Sequence, residues 1–212
     1  MDQYGKEMIE LRVEACKKAL EANHIKAFVV DCKEEAKDMV DRMIQDHEQV
    51  CDGGSMSLIE AGILSMLEAR DIKFQSHNDL SMTREESDAE ARKAFYADTF
   101  VASSNAITLQ GDIINVDGHG NRVSAMIFGP KQVILVVGYN KIVDDEAAAI
   151  QRIRSIAAPI NCMRLQKQTP CRIIGACRDC KSMDRICCSH VKINFDREDR
   201  IRVILVKEEL GY

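Results

Sequence analysis

Nine cysteines stand in a chain of 212 residues, and five of them fall in the segment TPCRIIGACRDCKSMDRICC, residues 169–188. The spacing Cys171-x5-Cys177-x2-Cys180-x6-Cys187 places four thiols within seventeen residues and leaves Cys188 spare. A CxxC pair can chelate one metal because its two intervening residues turn the chain back on itself. The outer pair, Cys171 and Cys187, would complete four ligands for Zn²⁺ or an iron–sulfur cluster. Between residues 162 and 192, seven Lys or Arg stand against two Asp, Asp179 and Asp184. A positive field of that kind offsets thiolate charge and lowers thiol pKa values. It would equally suit an exchange-active Cys177–Cys180 dithiol. A packed thiol-rich loop or a basic surface patch is the plainer reading. The spacing matches neither the bacterial ferredoxin run nor a zinc ribbon, so it does not encode which metal. Cys16, Cys32, Cys51 and Cys162 are scattered and read as small buried hydrophobes.

Three other stretches carry groups suited to an anion. VCDGGSMSLIEAG (50–62) reads as a strand, a Gly53-Gly54-Ser55 turn and a helix, with Ser57 and Glu60 as a capping box. Backbone N–H groups at such a turn, and the partial positive charge of a helix start, attract phosphate or carboxylate. Ser55 adds a hydroxyl. The stretch lacks the Gly-Lys-Ser/Thr of a P-loop and the third glycine of a dinucleotide fingerprint; a tight turn without a ligand is the alternative. SSNAIT (103–108) follows a predicted parallel strand, where open α/β sheets place ligands. It offers Asn105 and Thr108 to a small polar substrate, with ordinary turn chemistry as the alternative. In VVGYNKIVDDE (136–146), Lys141 follows a strand end and would neutralise an anion held at Gly53–Ser55, unless it is merely solvated. The histidines show no HxH or HExxH spacing and pair locally with no nucleophile, so no triad and no general base are legible.

These groups need a scaffold, and the pattern around them supplies one. Residues 6–22 read as a helix with Met8, Leu11, Ala15 and Ala19 on one face. AFVV (27–30) reads as a strand. The spacing of Ala36, Met39, Val40, Met43, Ile44 and His47 predicts a second helix with one buried face. Thr83 and Glu86 open another helix, reaching about Asp98, with a capping box. TFVASS (99–104) and QVILVVG (132–138) are strands, the latter central, and RIRVILVKEEL is the last strand. DIINVDGHGNRVSAMIFG (112–129) reads as a hairpin about Asp117-Gly118-His119-Gly120. Residues 144–158 read as a helix capped by Asp144 and closed by Pro159. Strands alternating with helices predict one α/β domain over 1–212: a mostly parallel sheet with helices on both faces. Residues 162–192 form a cysteine-rich insertion before the last strand.

Composition narrows the class. Hydrophobic residues make up 46% and charged residues 30%, as in folded globular proteins. A formal net charge of −5 argues against general nucleic-acid or membrane binding. No apolar run spans a bilayer and MDQYGKEMIELRVEACKKALEAN has no signal-peptide core, so a cytoplasmic location is expected. Thiols in that compartment do not read as disulfides. The oligomeric state is not encoded, and a homo-oligomer is one open arrangement.

SSNAITLQGDIINVDGHGNRVSAMIFGPKQVILVVGYNKIVDDEAAA resembles the core of the LUD-domain family of lactate-utilisation proteins. GGSMSLIEAGIL resembles that family's earlier motif, and TPCRIIGACRDCKSMDRIC the tail of a short stand-alone subgroup. The resemblance covers about residues 5 to 212. It implies a fold of the sugar-phosphate isomerase and CoA-transferase type. It also implies a role in lactate or small organic-acid utilisation, with an anionic small molecule bound and an iron–sulfur redox protein as partner. Carried over by position, the pocket is Gly53, Gly54, Ser55, Ser104, Asn105 and Lys141, and Cys187 rather than Cys188 is the fourth metal ligand.

Overall fold

The computed structural model describes residues 1–76 and 81–212, so His77 lies outside the described residues. Strands are β1 (Lys26–Val30), β2 (Gln49–Asp52), β3 (Lys73–Gln75), β4 (Thr99–Ala102), β5 (Ala106–Thr108), β6 (Ile113–Asp117), β7 (Gln132–Gly138), β8 (Ile142–Val143), β9 (Ser189–Ile193) and β10 (Ile201–Val206). Helices are α1 (Gln3–Ala22), α2 (Lys33–Met43), α3 (Met56–Glu60), α4 (Ile63–Ala69), α5 (Arg84–Lys93), α6 (Asn121–Ile127), α7 (Glu146–Arg152), α8 (Ala158–Arg164) and α9 (Pro170–Ile174).

Six strands make a wholly parallel sheet in the order β1-β10-β7-β4-β2-β3. The expected α/β architecture is present, with β7 inside the sheet. Successive side chains of a strand point to opposite faces, and both faces here are apolar. Val133, Leu135 and Val137 of β7 join a core with Val13, Cys16 and Leu20 of α1 and Val123 and Met126 of α6. Ile134 and Val136 join the opposite core with Ala36 and Val40 of α2, Leu58 of α3 and Leu67 of α4. Because every strand runs the same way, the carboxyl ends of β2, β4 and β7 (Asp52, Ala102, Gly138) share one edge of the sheet. The candidate ligand groups follow from those ends.

A second sheet, β8-β5-β6-β9, stands beside the first. Beyond a middle hairpin it has no counterpart in the sequence reading, because its strands are short and β9 falls mostly within the cysteine-bearing insertion. The middle hairpin exists one strand earlier than expected. β5 and β6 pair antiparallel, with Ala106 opposite Ile114, and the chain reverses near Gly111 at φ +80°. The Asp117–Gly120 stretch instead ends β6 and starts α6, with Gly120 at φ +82°. Glycines in the left-handed region serve a helix entry as well as a hairpin turn, which is why the sequence misplaced it.

Other local expectations shift for similar reasons. On α1 the buried face is Val13, Cys16 and Leu20, whereas Met8 and Leu11 are exposed. Ala36, Val40 and Ile44 are buried as expected, but His47 is exposed at φ +67°. The Thr83–Glu86 capping box forms, with Thr83 Oγ1 accepting from the Glu86 N–H. The Ser57–Glu60 box does not. Ser55 is the N-cap of α3, Ser57 bonds elsewhere, and Glu60 accepts from the Gly211 N–H at 2.7 Å. Asp145, not Asp144, caps α7 by accepting from the Ala148 N–H. Pro159 does not close that helix. A π-turn over Ile153–Ala157 carries the axis into α8, whose first turn tolerates the proline. Among the described residues, no helix is long and apolar enough to cross a membrane.

Candidate functional site

Gly53 leaves the end of β2 at the closest approach of three elements. A Cβ there would meet Ala102 Cβ at 2.9 Å, Phe100 Cζ at 3.0 Å and Arg122 Cγ at 3.1 Å. Only glycine fits without displacement. Gly54 follows at φ +64°, and its N–H donates to the Asp52 carboxylate at 2.7 Å. The turn therefore folds over the sheet edge, leading through Ser55 into α3. A cavity of about 320 Å³ opens above it.

Arg122, from the first turn of α6, anchors the opposite wall. Its guanidinium donates to the Ser103 carbonyl (3.1 Å), Asn115 Oδ1 (2.6 Å), Asn105 Oδ1 (3.1 Å) and the Val116 carbonyl (3.1 Å). Asp117 lies 3.7 Å from its Nε. Burial pulls the guanidinium pKa down, and the Asp117 charge opposes that shift. The cation thus ties the end of β4 to the end of β6 and sets Asn105 at the cavity wall. The Asn105 amide oxygen also accepts from the Val116 N–H at 2.9 Å.

Lys141 lies at the floor, 3% exposed. Its amine donates to Ser57 Oγ at 2.7 Å and to Ser103 Oγ at 3.1 Å. Burial, joined by the Arg152 and Arg122 charges, pushes its pKa down to about 7, with Glu60 opposing. Arg152 is itself buried and donates to the carbonyls of Asn140 (3.0 Å) and Asn105 (2.7 Å). Gly138, just before, packs against the chain near the C-terminus. A Cβ there would sit 2.5 Å from the Leu210 nitrogen and 2.7 Å from the Glu208 carbonyl oxygen. Ser57 Oγ in turn donates to the Leu210 carbonyl, and Tyr212 reaches the cavity.

All the expected pocket residues, Gly53, Gly54, Ser55, Ser104, Asn105 and Lys141, line this one cavity. Their hydrogen bonds refine the roles. The Ser104 hydroxyl donates to the carbonyls of Ala106 (2.9 Å) and Ile114 (3.2 Å), so it holds the β5–β6 hairpin. Thr108 does not line the cavity; it accepts from the N–H groups of Gln110 and Asp112 in the hairpin turn. Asn140 holds the tail through the Gly211 carbonyl and Leu210 N–H. The sequence reading missed Ser57, Ser103, Arg122, Arg164 and Lys167. Arg122 lies inside the stretch that resembles the LUD core, but the hairpin expected there put it on a strand rather than at a helix start. Arg122, Lys141, Arg164 and Lys167 give the cavity wall more cationic than acidic groups, with Asp117 opposing. The arrangement can hold a small anion among hydroxyls and buried cations. Lys141 can also exchange a proton near neutral pH.

The thiols form a second centre. Cys171, Cys177, Cys180 and Cys187 line one small cavity of about 20 Å³, and Cys162, expected to lie apart, lines it too. Cys188 is exposed, and its thiol donates to the Arg185 carbonyl at 3.4 Å. Burial pushes the Cys162 thiol up to about 11. Among the described residues, no group of three or more Cys, His, Asp or Glu side chains stands ready to hold a metal.

A family model described as the LUD domain matches residues 13–206. No curated protein matches the chain. A crystal structure of a DUF162 family protein from Deinococcus radiodurans is similar in fold, at a TM-score of 0.53 and 14% identity, covering 95% of this chain and 98% of that one. Weaker likenesses are to eIF2B beta from Chaetomium thermophilum (TM-score 0.38, 13% identity, 54% of this chain and 44% of that one) and ribose 5-phosphate isomerase from Plasmodium falciparum (TM-score 0.34, 16% identity, 53% and 52%).

Proposed function

The chain belongs to the LUD domain family, and on that premise we propose that it binds a small carboxylate of the 2-hydroxy or 2-oxo acid kind, lactate and pyruvate among them, and acts in the use of such acids. The observation that carries this reading is the buried Lys141 amine at the floor of a cavity walled by the Gly53–Gly54 turn and Arg122. A carboxylate placed there would sit beside the buried positive charge of Lys141 and Arg122, an attraction stronger away from water than in it. At about 320 Å³ the cavity suits a metabolite-sized ligand. Oxidation of a 2-hydroxy acid to its 2-oxo acid releases an electron pair and protons. An iron–sulfur redox protein is the proposed partner that takes the electrons, and Lys141 is the group positioned to handle a proton.

The test is a thermal-unfolding panel of lactate, pyruvate, other short carboxylates and inorganic phosphate against a chloride control. Saturable stabilisation by 2-hydroxy or 2-oxo acids, weakened in Lys141→Met, is the expected result. Equal response to every anion, or the same response in Lys141→Met, would defeat the reading.

A further inference from the structure

The thiol cavity lies in a part of the chain with little else to hold it. None of residues 170–188 is buried, and Ile173, Ile174 and Met183 are 77%, 52% and 99% exposed. Only the short α9 interrupts the irregular path from α8 to β9. A stretch that buries no side chain gains little hydrophobic stabilisation against the entropy of ordering it. Small modules of this kind are commonly held by a metal or a cross-link.

Its polar contacts converge on the sulfurs. The Asp179 N–H donates to Cys177 Sγ at 3.4 Å, inside the CxxC turn. Arg185 donates to the Cys180 carbonyl at 2.7 Å and to the Cys187 carbonyl at 2.9 Å, with a longer contact of 3.7 Å to the Cys187 sulfur. One guanidinium thus links the CxxC turn to the last cysteine of the set. These N–H donors and the guanidinium stand where they would offset the negative charge of metal-bound sulfurs. The cavity that these thiols line is small, about 20 Å³, on the scale of a single ion.

We propose that Cys171, Cys177, Cys180 and Cys187 close around a single thiophilic divalent ion of the Zn²⁺ kind, which staples this segment, with Cys162 packed behind the ligands and outside the set. Each ligand thiol releases its proton as its sulfur–metal bond forms, so the site carries a net negative charge that Arg185 partly offsets. The thiols are near one another but not yet gathered, so binding draws the Cys177–Cys180 turn inward, and ordering of the segment is part of binding. This assignment does not depend on what occupies the Lys141 cavity.

The test uses the full chain, purified anaerobically with reductant. Elemental analysis should find about one zinc per chain, and chelator-stripped protein should take up Co²⁺ with the visible bands of a tetrahedral thiolate site. Cys177→Ser and Cys187→Ser should lower metal affinity at least about tenfold, whereas Cys162→Ala and Cys188→Ala should leave it unchanged. Zinc should also slow tryptic cleavage within residues 164–192 of the stripped wild type, a readout that needs no variant. Stripped protein that takes up neither Co²⁺ nor zinc would overturn the proposal. So would acid-labile sulfide with iron in place of zinc. Loss of metal in Cys162→Ala equal to that in Cys177→Ser would overturn the ligand set.

Discussion

The Lys141 amine and the Ser57 hydroxyl meet at 2.7 Å, and this contact joins the chain just beyond β7 to the first turn of α3. Ser57 passes the connection on to the Leu210 carbonyl at 3.1 Å. The floor of the cavity is therefore built from three segments far apart in sequence. The same enclosure that shapes it removes water from the lysine and lowers its proton affinity.

That enclosure has a pH signature. Burial pushes Lys141 down to about 7 from an ordinary 10.5. Between those values the unfolded chain holds the proton and the folded chain does not, so unfolding takes one up. Stability must then rise with pH across that window, relative to a Lys141→Met variant, and the difference must level off below about 7. Urea unfolding of both proteins across the window measures it. Parallel pH curves would show that Lys141 is not held in its neutral form.

Gly53→Ala places a methyl carbon against Ala102, Phe100 and Arg122 at 2.9–3.1 Å. Overpacking of this kind costs about 1–3 kcal/mol. Calorimetric unfolding should show that loss together with weakened carboxylate binding, because the turn that walls the cavity and the Arg122 stem beside it move. Gly54→Ala, at φ +64°, should lose about 1–2 kcal/mol from the left-handed backbone.

Arg122→Met leaves Asp117 without this cation and removes one donor from each of the Asn105, Asn115, Ser103 and Val116 acceptors. Removing one partner from a buried charged network costs about 3–5 kcal/mol. Chemical denaturation should register a loss of that size. A loss below about 1 kcal/mol would mean that the guanidinium does not hold the β4 and β6 ends together.

Thr83→Ala separates stability from binding. It removes the N-cap hydroxyl of α5 without touching the Lys141 cavity. The expected cost is about 1 kcal/mol in unfolding free energy, with carboxylate affinity unchanged in a titration.

What the sequence disclosed, and what it hid, follows the range of the physics. Strands buried on both faces, such as QVILVVG, announce themselves as unbroken apolar runs, so the parallel sheet was legible. Its carboxyl edge was legible with it, and this placed Gly53, Asn105 and Lys141 together. Ser57 misled because a Ser-x-x-Glu spacing looks like a cap whether or not its hydroxyl is claimed by a distant lysine and a distant carbonyl. Met8 and Leu11 misled because Val13 and Cys16 share the helix and only the packed face shows which stripe wins. Arg122 could be found only through three-dimensional convergence of acceptors from β6 and the loop between β4 and β5. Cys162 joined the other thiols because α8 folds back beside the segment that follows it, a contact no local spacing encodes.

The central claim is that the Lys141 cavity binds a small carboxylate through a buried amine, and isothermal titration with pyruvate from about pH 6 to about pH 9 tests it most directly. A bound carboxylate favours the ammonium form, so binding should take up a proton above about pH 7 and weaken toward tenfold per pH unit there. Lys141→Met should bind at least about tenfold more weakly, with no pH dependence over that range. Binding that is absent at every pH, or that is equal in the wild type and Lys141→Met, would contradict the account.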